Sequence, residues 1–171
     1  KQANLGVFCN KRRSLRSMSE QVSFFSPIRL VGPFFNGCDF FVDQTGPTGN
    51  LFVDVNVETP KDPSLVREQG EFVLHHAMAV RIRIRQEGDS PNDGKEMMRA
   101  SVSMAGAVSV PDSLELPEEA ILRALRINAV SLFYSSARSY VETLTGHSSM
   151  GRFTIPAIDP EAYIDSLKGG E

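Results

Sequence analysis

The sequence contains no tryptophan, and its only cysteines are Cys9 and Cys38. Two such thiols make no disulfide framework, so the fold is expected to rest on an apolar core with both cysteines reduced. No uninterrupted apolar run approaches the roughly 20 residues needed to cross a bilayer. No apolar leader follows the N-terminal basic residues either, and a soluble, cytoplasmic protein is the expectation. An excess of either charge is also missing. Eighteen Lys and Arg stand against 21 Asp and Glu, a net charge of −3, which gives no global basic field to hold nucleic acid or an anionic membrane.

The residues of catalysis and metal binding are equally sparse. His75 and His76 are neighbours, and neighbours on a strand point to opposite faces, so they cannot grip one ion; no cysteine lies at metal-site spacing from them, and no metal is expected. No glycine-rich phosphate loop occurs. Ser135 and Ser136 sit within a helical stretch without the glycine-flanked elbow of a nucleophile. The acids Glu118, Glu119, Asp159 and Glu161 read as helix-start residues and not as an acid/base couple. The reading is of a protein that is not an enzyme and needs no cofactor.

What the sequence does have is apolar content, 41% over 171 residues, enough for one domain with a core. A basic tail is expected over residues 1–20, where Lys11, Arg12, Arg13 and Arg16 gather and Met18 offers a second possible start. One domain is expected over 21–168, with a short tail at 169–171. From Val22 the texture changes: Phe24, Phe25, Phe34, Phe35, Phe40, Phe41 and Phe52 fall among Pro27, Gly32, Pro33, Gly46, Pro47 and Gly49, the pattern of short strands between turns. Leu51, Val53, Val55 and Val57 alternate with Phe52, Asp54 and Asn56, which predicts a strand with one apolar face. The longest strand is expected over Glu71 to Gln86, with Val80, Ile82 and Ile84 opposed to Arg81, Arg83 and Arg85. A turn-rich loop over 87–94 leads to a further strand over Met97 to Val110, where Gly106 marks a bulge or a close backbone approach. Strands joined without intervening helices point to an antiparallel meander.

After Pro111 the period becomes helical. Pro117, Glu118 and Glu119 suit the start of a long helix that should end at Gly146. Leu122, Leu125, Ala129, Leu132 and Phe133 line one side of it, and Ile127, Val130, Tyr134 and Val141 another. A single sheet covers only one side. A subunit partner is therefore expected on the other, with Leu122, Leu125, Ile127, Ala129, Val130 and Tyr134 as candidate oligomer contacts. Asp159, Pro160 and Glu161 start a short last helix. The chain also has 11 Phe, several of them adjacent, and of two neighbours on a strand at least one faces away from any single core. That surplus suggests exposed aromatic surface for a partner.

These features resemble the SecB family of export chaperones. The family's helix string Leu-Phe-Pro-Tyr-Ala-Arg is matched by Phe133-Tyr134-Ser135-Ser136-Ala137-Arg138, which shares the aromatic character, Ala and Arg. Leu144-Thr145 and Phe153-Thr154-Ile155-Pro156-Ala157-Ile158-Asp159 follow the family's crossover, with Met150-Gly151-Arg152 in place of its Phe-Pro-Pro. Upstream, Ala105-Gly106-Ala107-Val108-Ser109-Val110 and Val22-Ser23-Phe24 resemble two of its strands. The resemblance covers about 150 residues, mostly by pattern. It implies an α+β fold, a four-stranded antiparallel sheet with a long helix and a short C-terminal helix, assembled as a dimer of dimers through the long helix. It also implies an ATP-independent holdase for unfolded, extended client segments, serving export or a dedicated partner such as an antitoxin. By carry-over the groove residues are Met150, Phe153, Ile155, Tyr163 and Leu167, followed by Phe24, Phe52 and Met104. The acidic positions through which the family meets the SecA motor are occupied here by Gln21, Phe25 and Ser101, which counts against SecA docking. Two other readings stand beside this one. A nucleic-acid-binding module would use the Arg81, Arg83 and Arg85 face, although no RNA-binding aromatic motif accompanies it. A hotdog-type thioesterase would need a polar residue at the buried helix start, where Leu114-Glu115-Leu116-Pro117-Glu118 offers only cap chemistry.

Overall fold

The computed structural model describes residues 27–88 and 94–168. The expected tails, Cys9, Gln21, Phe24 and Phe25 lie outside the described residues, as do residues 89–93 of the turn-rich loop. Five strands form one antiparallel sheet. β4 (Glu71–Gln86) and β5 (Glu96–Pro111) are its centre, and β1 (Arg29–Val42) flanks β5. β2 (Leu51–Glu58) and β3 (Leu65–Glu68) follow one another along the far edge of β4, β2 against Ala79–Gln86 and β3 against Glu71–Leu74. The sheet is thus four strands wide, as expected, but its β2 edge is split. Pro60 and Pro63 stand in the interruption, and a proline lacks the N–H that a ladder needs.

The expected meander holds from β2 to β5, but β1 departs from it. β1 lies beside β5, the last strand, so residues 43–50 cross the end of the sheet. They are tied down by Asp43 N–H donating to Met97 O at 2.8 Å and Glu87 N–H donating to Asn50 O at 2.9 Å. Lys95 pairs with Asp43 at 2.8 Å beside them. β3 returns into β4 through Gln69 and Gly70, both at positive φ, the geometry of a two-residue hairpin turn.

The period of two sorts the sheet into faces. Leu74, Met78, Val80, Ile82 and Ile84 of β4 and Ala100, Val102, Met104 and Val108 of β5 are buried on one face, under the helices. The β2 residues Val55 and Val57 pack onto the same core. On the opposite, outer face stand His75, Ala77, Ala79, Arg81, Arg83 and Arg85. Gly106 is the close approach its sequence context suggested: a Cβ there would sit 2.5 Å from Val31 O and 3.0 Å from Phe133 Cζ, where β1 bulges between Val31 and Phe34.

α1 (Glu118–Thr145) crosses the inner face. Pro117 is its N-cap, with Glu118 and Glu119 in the first turn, where the helix dipole favours carboxylates. It ends at Gly146 as expected, yet Gly146 is right-handed, and the chain turns left-handed only at Gly151. The stretch 146–159 then runs back beside α1 into α2 (Pro160–Lys168). Asp159 caps α2, its Oδ1 accepting from Glu161 N–H at 2.9 Å and Ala162 N–H at 3.2 Å.

This return path corrects the two-sided helix. Leu125, Ala129, Val130, Phe133, Tyr134 and Val141 are all buried within the single chain. The sheet takes one side, and the crossover and α2, through Ile155 and Ile164, take the other. Leu125, Ala129, Val130 and Tyr134 are therefore core residues with no surface to offer a subunit. Leu122 and Ile127 are half-buried and pack on the same two core clusters, and the exposed face of α1 carries Ala124, Ser131, Leu132, Ser135 and Ser139.

Candidate functional site

The crossover and α2 are both held to α1 by polar contacts. Thr145, fully buried at the helix end, donates its hydroxyl to Val141 O at 2.8 Å and accepts Phe153 N–H at 2.8 Å. Tyr134 OH donates to Pro156 O, and burial pushes its pKa up, so it remains a donor. Arg123 forks onto Asp165 and Glu161 of α2, each at 2.7 Å. Tyr163 OH donates to Val57 O at 2.9 Å and so ties α2 to the β2 edge. Thr145 and Arg123 escaped the sequence reading, because a buried hydroxyl and a forked arginine carry no periodicity. Only a Thr ending an apolar stripe hinted at the first.

The expected groove residues separate into three groups. Met150, Phe153 and Tyr163 are half-buried around one core, together with Ile158, Val55 and Val57; Leu167 is also half-buried, on α2. Ile155 and Met104 are correct in face but wrong in depth: at 0% and 1% exposure they belong to the core and touch no client in this state. Phe52 is on the wrong face. Its register partner is Arg85, so it points away from the crossover and stands 53% exposed on the outer side. Phe24 lies outside the described residues.

The open apolar surface lies along the two free edges of the sheet. On β2, Leu51 and Val53 face the helix side, Val53 at 45% exposure, on the same face as the crossover's Met150 and Phe153. On β1 the adjacent phenylalanines divide as alternation requires. Phe35 turns inward onto Tyr140, ring centroids 4.5 Å apart, while Phe34 turns outward at 61% exposure; Phe40 packs on the core while Phe41 is exposed.

The arginine ladder is already matched. Arg81 pairs with Glu58, Arg83 with Glu96 at 3.1 Å, Arg85 with Asp54 at 2.8 Å, and the neighbouring Arg99 with Asp39 at 3.1 Å. Four cations meet four carboxylates, which leaves no net field for a phosphate backbone. His75 is exposed on the outer face and His76 buried on the inner one. Both ring nitrogens of His76 lack a partner, and burial, reinforced by nearby Arg126, holds its pKa down to about 4.

An antiparallel sheet four strands wide, one long helix across it, and a crossover returning to a short helix can be set beside solved structures. The SecB-like chaperone Rv1957 of Mycobacterium tuberculosis, solved in complex with a ChAD peptide from the Rv1956 HigA1 antitoxin, matches it with a TM-score of 0.50. The fold is SecB-like. The match covers 77% of this chain and 90% of that one at 18% identity, so the likeness is one of architecture. No protein-family model and no curated protein matches the sequence. Among the described residues, no helix is long and apolar enough to cross a membrane.

Proposed function

We propose that this chain is an ATP-independent holdase, a single unit over residues 21–168 that binds unfolded, extended apolar segments of client polypeptides. The observation that carries the reading is the apolar surface left open at both sheet edges, combined with a SecB-like fold. Leu51 and Val53 on β2, with Met150 and Phe153 of the crossover, form the client surface. β2 has a free edge, so its backbone is open to strand addition while the side chains take up apolar groups without regard to sequence. At about 25 cal/mol per Å² one buried aromatic contributes only a few kcal/mol. Useful affinity therefore needs several contacts on one client, which a homo-oligomer supplies. The β1 edge is the surface for that assembly, since the helix positions expected to make it are buried in the chain's own core.

A dedicated client such as an antitoxin suits this chain better than general export. The neighbouring structure was solved with an antitoxin peptide, and Ser101, at one of the acidic positions, is surrounded by Arg81, Arg83 and Arg99. The test is suppression of aggregation of a chemically unfolded protein without nucleotide. Suppression that weakens several-fold in Phe153→Ser supports the reading, and unchanged suppression removes the crossover from it.

A further inference from the structure

β1 contains a pair of residues that neither the core nor the client surface uses, Asn36 and Gly37. Of the chain's seven asparagines, Asn36 alone precedes a glycine. It is also the extra residue where the register of β1 shifts: Phe35 stands opposite Met104 and Gly37 opposite Ser103, and Asn36 is opposite neither. β1 pairs only with β5, so its other side is unpaired among the described residues. The amides of Asn50, Asn56 and Asn128 are each held, Asn50 by Glu87 at 2.7 Å, Asn56 by Glu58 at 3.1 Å and Asn128 by Ala124 O at 2.9 Å. Among the described residues the Asn36 amide has no such partner. It is exposed and borders an open hollow of about 530 Å³ on the outer face, shared with Phe34 and Ala105. Gly37 is equally open, since a Cβ built on it would meet nothing within 4 Å.

We propose that Asn36 is a self-modification site, at which the backbone nitrogen of Gly37 closes on the Asn36 side-chain amide and converts it to a carboxylate. Gly37 N–H gives its proton to hydroxide, and the nitrogen attacks Asn36 Cγ. The new N–Cγ bond closes a cyclic imide while the Cγ–Nδ2 bond breaks, and Nδ2 leaves as ammonia with a proton returned by water. Water then opens the ring at one of its two carbonyls. Breaking the N–Cγ bond leaves aspartate. Breaking the main-chain N–C bond leaves isoaspartate, whose backbone runs through Cγ and is one methylene longer. One water is consumed and one ammonia released, with no oxidant or reductant. The local structure supplies what ring closure needs. The attacking nitrogen must be unshielded, and glycine carries no Cβ beside it. The amide must be free to swing, and a hydrogen-bonded one is not. The backbone must leave the fully extended form, and the bulged residue of a strand pair commonly lies near the helical region. Asn50, Asn56 and Asn128 precede Leu51, Val57 and Ala129 and fail the first two conditions. The product places a negative charge on β1 and, as isoaspartate, lengthens its backbone at the register shift. A carboxylate resists burial far more than an amide, so a strand seated over this part of β1 is lost as the chain ages. The chemistry itself does not depend on client holding.

The test is to age the full chain, folded and in urea, at neutral pH and at an alkaline pH, and to follow it by peptide mass spectrometry and ammonia release. Folded protein should gain about 1 Da at Asn36, as two chromatographically separate products, with none at Asn50, Asn56 or Asn128. The rate should rise several-fold at the alkaline pH and lie within about tenfold of the rate in urea. Asp93-Gly94 would form the same ring without a change of mass, so the mass gain reports amide loss alone. Gly37→Ala should slow the gain at least about tenfold; the open space at this position lets the variant fold, which a thermal melt like the parent's confirms. Three results overturn the proposal: no gain at Asn36 in the folded chain, whether or not it appears in urea; an equal gain at Asn50 or Asn56; or a folded Gly37→Ala that ages as fast as the parent.

Discussion

At the scale of single residues, His76 and Gly106 face one another across β4 and β5, and each has a distinct consequence. His76 is buried between the sheet and α1 with the edge of its ring set against Phe133, centroids 5.1 Å apart, and both nitrogens unpartnered. Burial holds its folded pKa at about 4, below the ordinary imidazole value of 6.5. The unfolded chain therefore takes up a proton first. Stability is complete above pH 6.5 and is lost as pH falls towards 4, by about 3 kcal/mol in all. Urea unfolding between pH 7 and 4.5 should record that slope, and His76→Leu should flatten it; an unchanged slope in the variant would locate the effect elsewhere. Asp43, held down to about 2 chiefly by Lys95 and Thr45, acts below this window, between pH 4 and 2. Gly106 makes a steric prediction. In Gly106→Val the side chain meets Val31 O and Phe133, and a loss of ~2–3 kcal/mol in chemical denaturation is expected.

At the scale of elements, what could be read in advance was what repeats. Alternation placed β2, β4 and β5 within a residue or two, and the change of period after Pro111 placed α1 from end to end. What does not repeat was not legible. β3 is four residues long with only Leu65 and Val66 apolar, too short for a period to declare itself. The crossing of residues 43–50 from β1 to the far edge depends on contacts with Met97 and Glu87 that no local pattern encodes. The candidate site shows the same division. The face of Ile155 and Met104 followed from alternation and family likeness, but their depth depended on where α2 came to rest, and two apolar stripes on α1 looked like an oligomer seam because nothing local revealed that the chain covers both itself. α2 yields two predictions at this scale. Asp159→Ala removes its cap and should cost about 1 kcal/mol of local stability, read as faster hydrogen exchange in residues 161–168 with the sheet unchanged. Arg123→Gln removes the fork onto Asp165 and Glu161 and should make the same segment more sensitive to protease, an effect that high salt reproduces in the parent because exposed pairs are screened.

At the scale of the whole molecule, the decisive feature is that, among the described residues, nothing pairs with the outer side of β1 or β2. β1 offers 14 residues with a free edge and apolar side chains on both faces. An edge of that length is a template for further strands unless something covers it, although its register is broken between Val31 and Phe34 and again between Phe35 and Gly37. A second copy of the chain at β1 would satisfy that edge and bury Phe35, while leaving β2, Val53 and the crossover free for clients. Assembly and holding then use different surfaces and should separate by mutation. The parent should exceed 18.8 kDa by light scattering. Phe35→Asp should return it to that monomer mass and, by removing multivalency, weaken client capture about tenfold or more. Phe153→Ser should leave the mass unchanged and weaken capture by each site directly. A parent that is already monomeric while Phe35→Asp still lowers capture would assign β1 to clients and not to a second copy. Because apolar burial drives both events, capture by the parent should hardly change with ionic strength.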